Sequence, residues 1–194
     1  MRTLLLALVA ATAFADEAAP TPRPVMRQLP EGGLPAPPSD RQLVDARKEL
    51  KARFRGLLSR ADSAAGATLA CDVLYSSAIT ETDAALKWLM LSESRRLAID
   101  TGRAECISRA IALASASYKF DPLAMELDSL AEIPLRALDA GKTIRVAEAA
   151  EQLATRAEVD GAHETAQSAW LLAYRSWQRC GNLEAARRAE SRIK

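Results

Sequence analysis

Three thiols, one imidazole and a lysine that follows a glycine are the side chains of this sequence with the means to carry chemistry: Cys71, Cys106, Cys180, His163 and Lys142. A thiolate is a nucleophile, a soft metal ligand and half of a disulfide. No Cys-x-x-Cys occurs, however, and an odd set of three allows at most one internal bridge. Cys71 and Cys106 fall inside neighbouring helical segments and read as small buried core residues with free thiols, while Cys180, just before a turn, reads as the accessible one. A zinc site of paired histidines or a Ser-His-Asp triad would rest on His163 alone, at a helix start beside Glu164, and there is no Gly-x-Ser-x-Gly. His163 therefore reads as a surface residue. The run Asp139-Ala140-Gly141-Lys142-Thr143 resembles the end of a phosphate loop, but the glycine needed five residues before Gly141 is Arg136, and no strand precedes it. It reads as a helix-capping turn. Glu49, Glu105 and Glu148 each have Lys or Arg nearby and read as solvated faces. No catalytic, cofactor-binding or metal-binding residue is expected, and no enzymatic activity.

The elements around these residues are helical. The composition is 49% hydrophobic with only 5% aromatic residues, and Ala and Leu dominate over Val and Ile, which favours packed helices over sheets. Ser39-Asp40-Arg41-Gln42 has the spacing of a capping box, and Leu43, Leu50, Phe54, Leu57 and Ala61 follow on one face. Asp62-Ser63 opens a second helix with Ala70, Leu74 and Ser77 inward. Thr82-Asp83 opens a third, apolar all round through Leu86, Trp88, Leu89, Met90 and Leu91, as suits a helix held between neighbours. Gly102 ends it, and Ala104, Ile107, Ile111, Ala114 and Tyr118 form the inner stripe of the fourth. Asp121-Pro122 starts a fifth, which Pro134 kinks or ends early. Gly141 and Thr143 separate a sixth, with Val146, Ala149, Leu153 and Ala157 inward. A seventh carries Ala166, Trp170, Ala173 and Trp177, and Gly181-Asn182 turns into a short eighth. The three tryptophans read as core.

Residues 1–15 have Arg2, an apolar run from Leu4 to Phe14, and small residues at Ala13 and Ala15, the pattern of a secretory signal peptide cleaved after Ala15. Asp16 stands where a lipoprotein would have cysteine, so an exported chain, periplasmic or secreted and not inserted in a membrane, is expected. Residues 16–38 are rich in proline and read as a disordered tether, leaving 39–194 as the folded domain. Loss of Arg2 leaves 25 basic against 25 acidic residues, a balance that disfavours nucleic acid as a partner.

The segment from Leu91 to Ala110 recurs from Trp170 to Ala189 without a gap, matching Arg96 with Arg175, Gly102 with Gly181, Glu105 with Glu184 and Arg109 with Arg188. The second copy resembles a tetratricopeptide repeat: relative to the turn at Gly181, Trp170, Tyr174, Trp177 and Ala186 stand where that family places its Trp, Gly, Tyr and first small Ala. It departs at Tyr174, where the family usually has Gly, and the first copy lacks both aromatics. The run TETDAALKWLMLSESRRLAIDTGRAECISRAIALASASYKFDPLAMELDSL, with the flanking Leu69-to-Ile79 helix, is similar to the helical module of exported planctomycete bacterial proteins. These resemblances imply an all-α fold of antiparallel helical hairpins stacked as a tetratricopeptide-like right-handed array, without catalysis. In such arrays the first helix of each hairpin lines a concave groove, which would place Arg96, Arg175 and Arg179 there as clamps for an acidic segment or a C-terminal carboxylate. The competing reading pairs these arginines with local acids such as Glu93. The expected function is a protein-interaction or scaffold module with a protein or peptide partner. The alternative is a self-associating component of a cell-envelope assembly.

Overall fold

Short polar side chains start most of the helices by accepting from amides that have no partner within the helix. In the computed structural model, which describes residues 33–193, Gln42 accepts from the Ser39 amide at 2.8 Å to open α1 (Asp40–Arg53). Ser63 accepts from Gly66 at the start of α3 (Ala64–Thr80), and Asp83 from Leu86 at the start of α4 (Ala84–Thr101). Asp121, with Pro122 next, caps α6 (Pro122–Ala131). Asp139 accepts from Lys142 at 2.8 Å and caps α7 (Ala140–Val159), so the lysine after the glycine belongs to a capping turn, as read from the missing first glycine. Asn182 caps α9 (Leu183–Glu190). The remaining helices are α2 (Arg55–Leu58), α5 (Ala104–Ser115) and α8 (His163–Arg179). The class is all-α. The leader assigned to residues 1–15 and the tether up to residue 32 lie outside the described residues. Residues 33–38 form no helix, and the Pro35 carbonyl accepts from the Lys119 amide at 2.7 Å.

The recurrence seen in the sequence is also a recurrence of hydrogen bonds. Gly102 has φ 68° and Gly181 has φ 77°, a left-handed conformation that a side chain disfavours. Around the first, the Gly102 amide donates to Ile99 and Arg103 to Ala98. Around the second, Gly181 donates to Gln178 and Asn182 to Trp177. Both are glycine-terminated C-caps that satisfy carbonyls at the helix end and reverse the chain. At Gly102 a Cβ would also stand 2.5 Å from a methyl group of Leu138, whose side chain would have to shift to admit it.

Consecutive helices from α3 to α9 pack against one another, most extensively α7 on α8 and α3 on α4. Contacts also run from α3 to α5 to α7, and from α4 to α6 to α8, so the helices alternate between two layers. The apolar circumference of α4 is used on several sides, against α1, α3, α5 and α6. The expected inner stripe of α5 is buried from Ala104 to Tyr118, as are Ala166, Trp170, Ala173 and Trp177 on α8. Trp88 is half-buried and meets Tyr118 edge-on at 5.1 Å.

Four local expectations need correction. The first helix is broken at Phe54, whose φ of −112° and ψ of 19° leave the helical region so that its ring can enter the core. On α3 the inward residue is Ala78 rather than Ser77, since Ala67, Ala70, Cys71, Leu74 and Ala78 keep the i+3/i+4 spacing. Gly141 lies inside the first turn of α7 and separates nothing, because Asp139 has already capped the helix. The inward face of α7 runs through Ala147, Ala150 and Ala154, while Ala149 is only half-buried. Pro134 follows the end of α6 and leads into a 3-10 turn, Leu135–Ala137.

Glu81 ties the α3–α4 corner to α1: one oxygen accepts from the Thr82 and Asp83 amides at 2.8 and 3.0 Å, the other from Arg53 at 2.8 Å. The Asp83 amide bond, followed by the Arg53 and Thr82 bonds, holds its pKa below the ordinary carboxylate value of 4.5. A lowered folded pKa means the contribution is complete above the unfolded value and is lost as pH falls through the folded one. Glu81→Gln is expected to cost about 1–2 kcal/mol at pH 7. That difference from wild type should shrink as urea midpoints are measured from pH 5 downward, and a difference that stays constant to pH 2 would contradict it.

Candidate functional site

Three helices meet to form a cleft of about 410 Å³ with apolar walls and a polar floor. Ile111 and Ala112 come from α5, Pro122 and Leu123 from α6, and Val159, 82% exposed, from α7. The floor is Glu126, whose side chain is 3% exposed although it is ionisable. The Ser108 hydroxyl donates to its Oε1 at 2.6 Å and Arg156 donates to its Oε2 at 2.8 Å. Each member comes from a different helix, so the triad exists only where α5, α6 and α7 converge. Burying a carboxylate costs free energy that these two donors offset. With both oxygens engaged Glu126 is a structural anion, and the half-exposed Arg156 guanidinium carries the polar character to the mouth of the cleft.

The cleft continues along α7. Glu148, Gln152, Thr155 and Val159, spaced four, three and four residues apart, form its solvent-facing stripe, and Trp170 of α8 borders a second hollow that shares Thr155 and Arg156 with the first. Glu148 and Asp160 are exposed and have no ion-pair partner among the described residues. The open rim is therefore acidic, apart from Arg156.

Arg96, Arg175 and Arg179, the arginines expected in a groove, do not line this cleft, and Arg96 borders a separate hollow with Arg47 and Leu89. Arg96 makes a two-pronged contact to Glu93, at 3.0 and 2.6 Å, and a third bond to Asp100 at 2.7 Å, all on its own helix. The local pairing with Glu93 is thus present. Arg179 donates to the carbonyls of Leu135 and Arg136 at 2.7 and 3.1 Å, fastening the end of α8 to the 3-10 turn. Arg175 is exposed on α8. No partner is shared among the three. His163 borders a hollow with Trp170 and Arg192 and is exposed. Cys71 and Cys106 are buried, as their positions inside helices implied, and Cys180 is half-buried with its sulfur 3.3 Å from the Trp177 carbonyl.

The reading from sequence passed over Glu126, although a signal was there: it lies three residues after Leu123 and four before Leu130, on the inward face of α6. A carboxylate at such a position requires partners, yet nothing along the chain names Ser108 or Arg156 as those partners. No protein-family model matches the chain, and no curated protein or solved structure matches it either. None of the helices among the described residues is long and apolar enough to cross a membrane.

Proposed function

We propose that this chain is an exported helical-repeat module that binds an extended peptide segment of a protein partner, without catalysis, in the cleft between α5, α6 and α7. The observation that carries this reading is the union of an open apolar-walled hollow with a preorganised, fully hydrogen-bonded floor. Its volume lies in the range of about 300–1,000 Å³ usual for binding sites. The alternation of helices between two layers and the recurring glycine turns support a tetratricopeptide-like stack, a fold whose long surfaces serve recognition. The occupant is a segment carrying an apolar side chain beside a basic one. The apolar group contacts Leu123, Ile111 and Val159, and the basic group pairs with Asp160 or Glu148 at the acidic rim. Arg156 donates to a carbonyl of the bound backbone. A basic segment is preferred to the acidic one expected from Arg96, Arg175 and Arg179 because none of the three lines this cleft, whose exposed rim carries Asp160.

The test is fluorescence anisotropy of the full chain with labelled nine-residue peptides holding leucine next to either lysine or glutamate. The lysine peptides should bind more tightly, and Val159→Ser with Asp160→Lys should weaken them at least tenfold, about 1.4 kcal/mol, without moving the melting temperature. Equal binding of both peptide sets, or indifference to the two substitutions, would refute the cleft. Concentration-dependent sedimentation together with absent peptide binding would favour the self-associating envelope role instead.

A further inference from the structure

A second constellation, independent of the cleft, lies in the seam between α3 and α5. Cys71 and Cys106 are 1% and 2% exposed, and their sulfurs and a carboxylate oxygen of Asp72 all lie within 4.8 Å of one another. Arg109 donates to the Cys106 sulfur at 3.2 Å, and its guanidinium sits 5.0 Å over the Tyr75 ring. Arg103 donates to Asp72 at 3.0 Å, and Arg109 lies 3.7 Å from the same carboxylate. From α4, the Ser94 hydroxyl donates to the Cys71 carbonyl at 2.9 Å and stands 3.4 Å from the Cys71 sulfur.

Two sulfurs and a carboxylate suit either a metal ion or oxidation, and the surrounding charges decide between them. Two guanidiniums flank the cluster and Asp72 is committed to both, so a divalent cation would enter a cationic setting and break an ion pair. The same guanidiniums stabilise a thiolate. We propose that Cys71 and Cys106 form a dithiol site oxidised by hydroperoxides, with Cys106 as the nucleophile and Cys71 as the resolving thiol, yielding a disulfide between α3 and α5.

Asymmetry within the pair sets the order. The adjacent Cys71 thiol, with the Arg109 hydrogen bond and the Arg103 charge behind it and burial opposing, brings Cys106 down to about 6. Cys71 is pushed upward by the neighbouring Cys106 and by burial, and keeps its proton. In the first step the Cys106 thiolate attacks one peroxide oxygen. The S–O bond forms as the O–O bond breaks, and the departing hydroxide takes from solvent the proton that Cys106 had released. Cys71 sulfur then attacks the Cys106 sulfenic acid. The S–S bond forms, the S–O bond breaks, and the Cys71 proton leaves with hydroxide as water. Two thiols and one hydrogen peroxide become one disulfide and two waters, with two electrons passing from sulfur to oxygen. Burial selects a small oxidant, since neither sulfur offers a surface to a bulky disulfide, and Arg109, half-exposed, is the movable cover. The sulfurs need to close by about 3 Å at most to reach bonding distance.

The test treats the reduced full chain with one equivalent of hydrogen peroxide, alkylates it under denaturation and maps the peptides. A Cys71–Cys106 linked peptide that dithiothreitol releases is expected, together with a sulfenic acid trapped by dimedone on Cys106 in Cys71→Ser. Arg109→Gln, which keeps both cysteines and lies at the surface, should slow oxidation about tenfold, and Arg109→Lys should restore part of the rate. Full alkylation of Cys71 and Cys106 after peroxide, or a wild-type rate in Arg109→Gln, overturns the proposal even if Cys71→Ser fails to fold. Stoichiometric zinc binding to the reduced chain that Cys106→Ser abolishes would overturn the charge argument and make the cluster a metal site.

Discussion

Trp177→Ala is expected to destabilise the protein by about 3–5 kcal/mol, the usual loss for an aromatic ring removed from a packed core. Trp177 is buried on α8, whose packing on α7 is the most extensive between any two helices described, and its indole Nε1 donates to Glu151 of α7 at 2.8 Å. The substitution removes ring contacts and that interhelical bond together. The facing inner residues of α7, including Ala147, Ala150 and Ala154, are too small to move into the void. Trp177→Phe separates the two contributions: most of the ring volume stays, the donor goes, and about 1–2 kcal/mol should be lost. Urea unfolding followed by circular dichroism is the suitable measurement, because the substitution alters fluorescence directly. A loss below about 1 kcal/mol for Trp177→Ala would mean that the α7–α8 seam collapses around the gap.

The second large effect is expected at the floor of the cleft. Arg156→Ala leaves the Glu126 carboxylate, only 3% exposed, with Ser108 as its remaining side-chain donor. Stranding a buried charge costs about 3–5 kcal/mol. The lower end applies here, since removing a half-exposed arginine also opens a path for water to the carboxylate. Glu126→Leu combined with Arg156→Ala should be more stable than Arg156→Ala alone, because an apolar side chain of similar volume needs no counter-charge. Chemical denaturation of the wild type, both single variants and the double variant closes the cycle. If the double variant falls as far as the two single losses added together, Glu126 and Arg156 are not coupled, and the cleft floor is not the electrostatic unit described above.

The class of fold was legible along the chain because its determinants are local. A capping side chain acts within one turn, a glycine reverses the chain where it stands, and an apolar stripe shows in its own period. Ser39, Asp83, Gly102, Asp121 and Gly181 accordingly sit at the helix ends where their types place them. The break at Phe54 was not legible, since only the core that receives the ring makes leaving the helix favourable. Arg96 and Arg175 occupy equivalent sites in the repeat, yet Arg96 is held by Glu93 and Asp100. Matching positions align backbones, while partners depend on what each helix happens to present four residues away. Glu126 could be flagged as a charge on an inward face, but Ser108 and Arg156 reach it only through the convergence of three helices. Cys71 and Cys106 carry no sequence signal of proximity: each is a small residue on an apolar face, and their sulfurs meet because α3 packs on α5. Helical period and capping are short-range and can be read one segment at a time, whereas ion pairing and thiol chemistry depend on distances between segments, which packing alone sets.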